Sequence, residues 1–116
     1  MIITIESILV SDDFTIYGCT PQNITLICEN GGLINVTHAY FGQYATQSTD
    51  CPQPNLNEDC FELIEENNPK EWAEIKRSCD NKTQCTYRNH YGTLNACYDP
   101  PDADFTLFYY QCFLGE

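Results

Sequence analysis

Eight cysteines in a chain of 116 residues limit the possible folds more than any other feature of the sequence. Their number is even, no two have the Cys-x-x-Cys spacing of a zinc-ligand pair, and only His38 and His90 remain as further ligands. Disulfides are therefore expected, and these persist only in oxidising compartments. The sequence predicts an extracellular or luminal domain held by bridges between Cys19, Cys28, Cys51, Cys60, Cys79, Cys85, Cys97 and Cys112.

Three acceptor tripeptides for N-glycosylation indicate the same compartment. Asn23, Asn35 and Asn81 are each followed, two positions later, by threonine, and the residue between is permissive in every case. These three asparagines are the candidate glycan carriers of a predicted glycoprotein.

The chain has the length of a single domain, and no repeat, linker or low-complexity tract divides it. We predict one domain over residues 1–116, with its core over 14–112. No apolar run approaches the ~18–20 residues of a membrane-spanning helix. Residues 1–10 lack the basic region and cleavage site of a signal peptide. Since cysteine pairing requires secretion, we expect that a targeting segment belongs to the parent protein.

The charge of the chain narrows the class of partner. Its 17 acidic and 5 basic residues give a formal charge of −12. Such a charge repels phosphate backbones and anionic membrane surfaces, so neither nucleic acid nor a lipid surface is expected as a partner. It attracts a basic protein patch and raises the encounter rate at low salt. Solubility outside the cell is the simpler explanation of the same charge.

Hydrophobic patterning predicts a mostly β chain with one helix. The predicted strands lie at residues 3–8, 14–19, 23–28, 33–40, 83–88 and 105–112, with a turn at Asp12-Asp13. The helix has a defined start, because Asn68 is a suitable N-cap, Pro69 suits the first helical position and Glu71 is placed to bond back to the cap. Residues 43–57 and 89–104 are expected to be loops.

Two side-chain placements follow from these elements. Strict alternation along the strand at 33–40 puts His38 on the same face as Ile34 and Val36, so we expect it to be packed or hydrogen-bonded and not catalytic. On the helix, Trp72 falls on one face with Ile75 and is expected to pack inward.

Short motifs between the cysteines follow the order of a known family. The opening half contains GC at 18–19, LIC at 26–28, GLINV at 32–36 and AYFG at 39–42. The closing half contains CDNKTQC at 79–85 and FYYQC at 108–112. Together they resemble the sea-urchin-egg-lectin, or rhamnose/galactose-binding lectin, domain. The segment at 79–85 is most similar to the lectin-like domain of latrophilin adhesion receptors.

The resemblance implies a compact antiparallel β-sandwich-like lectin domain with one α-helix and long loops stapled by disulfides. The residues alone leave about a hundred cysteine connectivities open. The family pattern implies the pairs Cys19–Cys51, Cys28–Cys112, Cys60–Cys97 and Cys79–Cys85.

The residues that hold sugar in the family are replaced in this chain. Sugar-binding members use a Glu after the first cysteine, the Tyr and Arg of an Ala-x-Tyr-Gly-Arg motif, a Gly-Asp-Pro-Cys turn and a Lys near the closing strand. The corresponding positions here are Thr20, Phe41, Gln43, Asn95 and Asp104. Each lost charged hydrogen bond costs ~1.5–3 kcal/mol, against about 4 kcal/mol for millimolar binding. We therefore predict a degenerate sugar pocket.

Protein recognition is then the favoured interpretation, with the loop at 89–104 as the candidate surface. Interfaces are enriched in Tyr and other aromatic residues, and this loop surrounds the former sugar site. The alternative is that its rings pack the loop onto the domain. The candidate contact residues are His90, Tyr91, Leu94, Tyr98 and Asp104.

Other chemistries find little support in the sequence. The acidic segment at 99–104 lacks the central glycine and the closing glutamate of a calcium loop, so a solvated acidic face is favoured. Bridged cysteines provide no thiol nucleophile, and no serine lies in an elbow motif. We predict no catalytic residue, metal or cofactor.

The sequence thus predicts a non-catalytic recognition module of a latrophilin-like adhesion receptor, which binds an extracellular protein ectodomain. Its place would be the extracellular side of the plasma membrane or the secreted fraction. A lectin for galactose- or rhamnose-type sugars with an altered pocket is the alternative. A spacer without a ligand is a third possibility.

Overall fold

The computed structural model describes residues 10–46, 50–90, 92–95, 97 and 102–114. These residues form six strands, with two consecutive helices between the fourth and the fifth strand. The strands are β1 (Val10–Cys19), β2 (Ile24–Ile27), β3 (Gly32–Gln43), β4 (Cys60–Leu63), β5 (Gln84–Tyr87) and β6 (Phe105–Leu114). The helices are α1 (Ile64–Asn67) and α2 (Pro69–Cys79).

Four strands form the main sheet in the order β1-β6-β3-β4, and every neighbouring pair is antiparallel. The strands β2 and β5 pair antiparallel in a second, smaller sheet. The predicted class, a mostly β antiparallel domain with disulfide-stapled loops, is confirmed. The predicted strand at 3–8 lies outside the described residues. The turn predicted at Asp12-Asp13 was wrong, because β1 runs through both residues. The short strand β4 and the one-turn helix α1 are additions that the sequence patterning did not predict.

The core lies between one face of the main sheet and a second layer made of β2, β5 and α2. Phe108 of β6 is fully buried and meets the Tyr87 ring of β5 edge-on at 5.1 Å. Ile75 of α2 is 1% exposed and belongs to the same cluster, together with Ile34 and Val36 of β3. Alternate residues of a strand point to the same face, so each strand contributes a row of apolar side chains to the core.

The start of α2 is the one that the sequence predicted. The side chain of Asn68 accepts a hydrogen bond from the Glu71 amide at 3.3 Å, and Pro69 is the first helical residue. Trp72 is half-buried and packs against the core. The predicted return bond from Glu71 to the cap does not form, because its carboxylate bonds to Tyr87 and His90 instead.

The predicted face of His38 was wrong. The register between β3 and β6 shifts between Val36 and His38, and a β-bulge of this kind turns the following side chains to the opposite face. His38 is 55% exposed and its Nδ1 lies 2.8 Å from Glu65. Two side chains at the C-terminal end of α2 satisfy the backbone at the shift, since Asp80, the residue after the helix, accepts from the Val36 amide and Lys76 donates to the Val36 carbonyl.

Four disulfides crosslink the chain and leave no free cysteine. They are the four pairs that the resemblance implies: Cys19–Cys51, Cys28–Cys112, Cys60–Cys97 and Cys79–Cys85. Bridges of this number require an oxidising compartment, which makes the chain an extracellular or secreted domain. No helix in the described ranges is long and apolar enough to cross a bilayer.

Candidate functional site

The predicted sugar-site residues meet at one end of the main sheet, where Cys19 and Gly42 flank Phe105 in the strand register. We call this region the loop end. Main-chain hydrogen bonds close it, because the Thr20 amide donates to the Asp104 carbonyl at 3.0 Å and the Asp104 amide donates to the Gly42 carbonyl at 2.8 Å. The chain that returns into β6 is therefore fixed on both sides.

The polar side chains at the loop end bond to the protein itself. The Thr20 hydroxyl donates to the Ala103 carbonyl at 2.8 Å, and the buried Gln43 amide donates to the Asp102 carbonyl at 3.0 Å. The Asp104 carboxylate accepts from the Tyr44 amide at 3.0 Å. The structure thus brings these predicted residues together, but they hold the loop in place.

Phe41 fills the space beneath the same loop. Its side chain is 3% exposed, and its ring packs so closely on Gly92 that a Cβ at that glycine would overlap it. The His90 ring lies 6.1 Å away in an edge arrangement. An aromatic ring in this position seals the loop onto the sheet and leaves no room beside Gly92 for a ligand.

Leu94 cannot be a direct contact residue, which corrects the prediction made for it. Only 2% of this residue is exposed, and it belongs to the core cluster. An apolar side chain in an otherwise polar loop is buried because that removes its surface from water. Its neighbour Asn95 is exposed, and the Asn95 amide donates to the Glu62 carboxylate at 2.9 Å.

The remaining contact candidates differ in what the structure says of them. Tyr91 and Tyr98 lie outside the described residues. Asp104 is exposed but engaged with Tyr44. His90 is 51% exposed and takes part in a hydrogen-bonded cluster that the sequence analysis missed.

This cluster joins α2 to the residue three positions after β5. The Tyr87 hydroxyl donates to the Glu71 carboxylate at 2.6 Å, and the His90 Nε2 lies 3.1 Å from the same oxygen. Burial raises the pKa of the Tyr87 phenol, and the hydrogen bond to Glu71 raises it further. The local sequence of Glu71 fits a capping motif and contains no signal of its bonds to Tyr87 and His90.

A cleft of about 420 Å³ opens beside the cluster, between α2 and β5. Its volume falls within the range of small-ligand sites. Charged and hydroxyl groups line it together with two rings: Glu71, Glu74, Ser78, Thr86, Arg88 and the rings of Tyr87 and His90.

Tyr44 anchors the loop end to a disulfide. Its phenol donates to the Pro52 carbonyl at 2.6 Å and lies 3.3 Å from the Cys19 sulfur. Burial raises the pKa of Tyr44 to about 12, and the nearby Tyr17, Asp59 and Asp104 contribute. The neutral phenol is therefore the form that holds this anchor at physiological pH.

The predicted glycan carriers have different surroundings. Asn23 and Asn81 are exposed, whereas Asn35 is half-buried in β3. The side-chain oxygen of Asn35 accepts a hydrogen bond from the Lys76 ammonium at 3.1 Å. A glycan on Asn35 would be attached through the side-chain nitrogen, next to this contact.

The basic residues are segregated. All five are found in the stretch from Lys70 to Arg88, which contains α2 and β5. The strands of the main sheet contain no Lys or Arg. Within the described residues, no three His, Cys, Asp or Glu side chains are grouped to hold a metal ion.

Neither a protein-family model nor a curated protein sequence matches the chain.

Proposed function

We propose that this chain is a non-catalytic extracellular recognition module that binds another extracellular protein domain. Its setting would be a cell-surface adhesion receptor of the latrophilin type, as the resemblance of its cysteine frame and motifs implies. The disulfides support such a role, because a preformed surface loses less conformational entropy on binding than a flexible one.

One observation carries the proposal. The groups that occupy the family's sugar-binding positions bond to the domain's own main chain, through Thr20, Gln43 and Asp104. A hexose at this place would have to break these bonds and replace each of them. These bonds therefore favour a structural role for the loop end over a role as a monosaccharide pocket.

A binding screen against secreted receptor ectodomains tests the proposal, with the purified glycosylated domain presented as a multivalent probe. We expect at least one ectodomain to bind saturably, with affinity that falls at high salt because the domain is acidic. A parallel glycan array should give no signal that free rhamnose or galactose competes away. Competition by either sugar, together with an empty ectodomain screen, would contradict the proposal.

The cleft between α2 and β5 favours a second candidate, which is carbohydrate binding at an altered position. Carboxylates, a guanidinium and hydroxyl groups beside aromatic rings are the groups that recognise a hexose. The cleft offers Glu71, Glu74 and Arg88 next to the Tyr87 and His90 rings.

Two matched variants decide whether this candidate applies. Any glycan-array signal that arises in the cleft should fall about tenfold in Glu71→Gln and in Glu74→Gln, since each loses a charged hydrogen bond. A control at Glu58, which is exposed in the turn before β4, should retain the signal. An unchanged signal in both cleft variants would exclude the cleft as a sugar site.

A further inference from the structure

A groove of about 520 Å³ lies at the end of the main sheet opposite the loop end, between β1 and β2. We call it the β1–β2 groove. Its wall and floor are mostly apolar, and they include Phe14, Ile16, Ile27, Tyr110 and Cys112, with Glu29 at one side. None of the residues predicted as contact or sugar sites lines it.

The groove is held in a fixed shape. The Tyr110 ring stacks on the Phe14 ring at 5.3 Å, and its hydroxyl both accepts from the Ile27 amide and donates to the Ile27 carbonyl. The disulfide Cys28–Cys112 joins the two sheets at the same place. A partner would therefore meet a surface that needs little ordering on binding.

The groove also exposes large apolar side chains. Phe14 is 40% exposed and Ile27 is 49% exposed, and in the described part of the chain Leu56 is the other large hydrophobic residue of this kind. Two such side chains on opposite walls of one groove form a contiguous apolar patch. Contiguous apolar surface of this type marks interaction sites more often than isolated exposed residues do.

Charge limits what the groove accepts. The strands β1, β2 and β6 contain no Lys or Arg, and the exposed Glu29 lines the groove beside the apolar patch. A second copy of this acidic chain would be repelled, whereas a cationic segment would be attracted.

We propose that the β1–β2 groove docks a partner protein segment that presents a large apolar side chain beside arginine or lysine. The apolar side chain enters between Phe14 and Ile27, and the cation lies near Glu29. This inference rests on the proposed function and names the surface and the partner chemistry of that function.

The direct test is a ¹H–¹⁵N NMR titration of the disulfide-bonded domain with acetyl-Arg-Phe-Lys-amide. We expect saturable shifts at the amides of Thr15, Ile27 and Glu29. Two matched peptides separate the contributions: acetyl-Glu-Phe-Glu-amide carries the wrong charge and acetyl-Arg-Ser-Lys-amide lacks the apolar side chain. Each should bind at least about fivefold more weakly.

Variants of the groove extend the test to any ectodomain that the screen identifies. Ile27→Ser and Phe14→Ser should each weaken binding about tenfold, because each removes an apolar contact. Leu56→Ser is the matched control, since Leu56 is 66% exposed and lies outside the groove, and it should leave affinity unchanged. Glu29→Gln, an exposed substitution that leaves the core intact, gives an independent readout and should weaken binding about threefold at low salt.

Several results would overturn the inference. These are peptide shifts centred on the loop end, equal binding of the acidic peptide, no binding at all, or nuclear Overhauser contacts that place residues 1–9 in the groove of the free protein. An identified ectodomain that ignores Ile27→Ser and Phe14→Ser would also overturn it and would leave the proposed function standing. Peptide binding in the groove together with an empty ectodomain screen would support the inference about the groove and contradict the proposed function.

Discussion

The two ends of the main sheet use their side chains in opposite ways. At the loop end, the side chains of Thr20 and Gln43 bond to the main chain that returns into β6, the Asp104 carboxylate accepts from the Tyr44 amide, and Leu94 is buried. At the β1–β2 groove, Phe14 and Ile27 leave large apolar surfaces exposed above a fixed floor.

The difference between the two ends shows which surface can still gain free energy by binding a partner. A group that already has a hydrogen bond inside the protein gains little from a ligand, because the old bond must be lost first. An exposed apolar side chain has no such cost, and its burial is favourable in itself. A loop rich in polar and aromatic residues can therefore be a structural element, while the proposed recognition surface lies in the groove between β1 and β2.

The largest expected effect concerns the crosslink beside the groove. Cys28–Cys112 closes a separation of 84 residues and Cys79–Cys85 closes one of only 6. The loop-entropy relation gives about 4.5 kcal/mol for the first and about 2 kcal/mol for the second. Urea unfolding of the double variants Cys28→Ala/Cys112→Ala and Cys79→Ala/Cys85→Ala measures both. Equal losses of stability would contradict the expectation that the long crosslink beside the groove stabilises the domain more than the short one does.

Glycine substitutions compare the packing of the two ends. A Cβ at Gly42, at the loop end, would overlap the fully buried Phe105 ring. A Cβ at Gly32, near the groove, would meet its nearest atoms at 3.3–3.4 Å. We expect Gly42→Ala to cost about 3 kcal/mol and Gly32→Ala about 1 kcal/mol or less. Denaturant midpoints measure the difference, and a larger loss at Gly32 would reverse our ranking of the two ends.

Loss of one side-chain hydrogen bond at each end compares the loop end with the groove. The fully buried Thr106 hydroxyl donates to Asn89 at 2.8 Å, and the Asn89 amide donates to the Gly18 carbonyl at 3.0 Å. Thr106→Val leaves a buried oxygen of Asn89 without this donor, so we expect a loss of about 2 kcal/mol. Tyr110→Phe, at the groove floor, should cost about 1 kcal/mol. Thermal unfolding checks both, and a neutral Thr106→Val would remove the network from our account of the loop end.

Alkaline pH probes the cluster next to the loop end. Folding raises the pKa of Tyr87 above its usual value near 10, so the unfolded chain releases this proton first. The contribution of Tyr87 is therefore complete below pH ~10 and is lost as pH rises beyond it, by up to about 1.4 kcal/mol per pH unit. Tyr87→Phe should be less stable than the wild type at pH 8 by about 1 kcal/mol.

The pH series itself is the measurement. Stability curves of the wild type and Tyr87→Phe, recorded from pH 8 to 11, should converge because only the wild type loses the Tyr87 contribution. Parallel curves across this range would mean that the phenol titrates normally in the folded protein.

The sequence was sufficient for features that depend on local chemistry. The cap at Asn68 and the proline at the first turn predicted the start of α2. Alternation predicted the strand that contains Ile34, and an apolar, aromatic run predicted the strand that contains Phe108. Strict alternation predicted the buried face of β3 correctly only up to the bulge after Val36. The exposed position of His38 depends on the shift against β6, which the side chains of Lys76 and Asp80 stabilise from a distant helix.

The sites depend on contacts that no local pattern contains. Leu94 lies in a loop that was predicted as a contact surface, and only its burial in the core cluster shows that it is a core residue. Glu71 fits a capping motif, yet its partners are 16 and 19 residues away. The β1–β2 groove arises because Tyr110 of the last strand reaches Ile27 of an early one, over a separation of 83 residues.

Residue-level hydrogen exchange tests most directly whether the loop end is closed. The amides of Thr20, Tyr44, Ala103 and Asp104 each donate to a partner within the domain. The account predicts that they exchange slowly, with opening free energies of several kcal/mol, like the core strands. Exchange at the rate of unprotected amides would contradict it, because the polar groups of the loop end would then be free for a ligand.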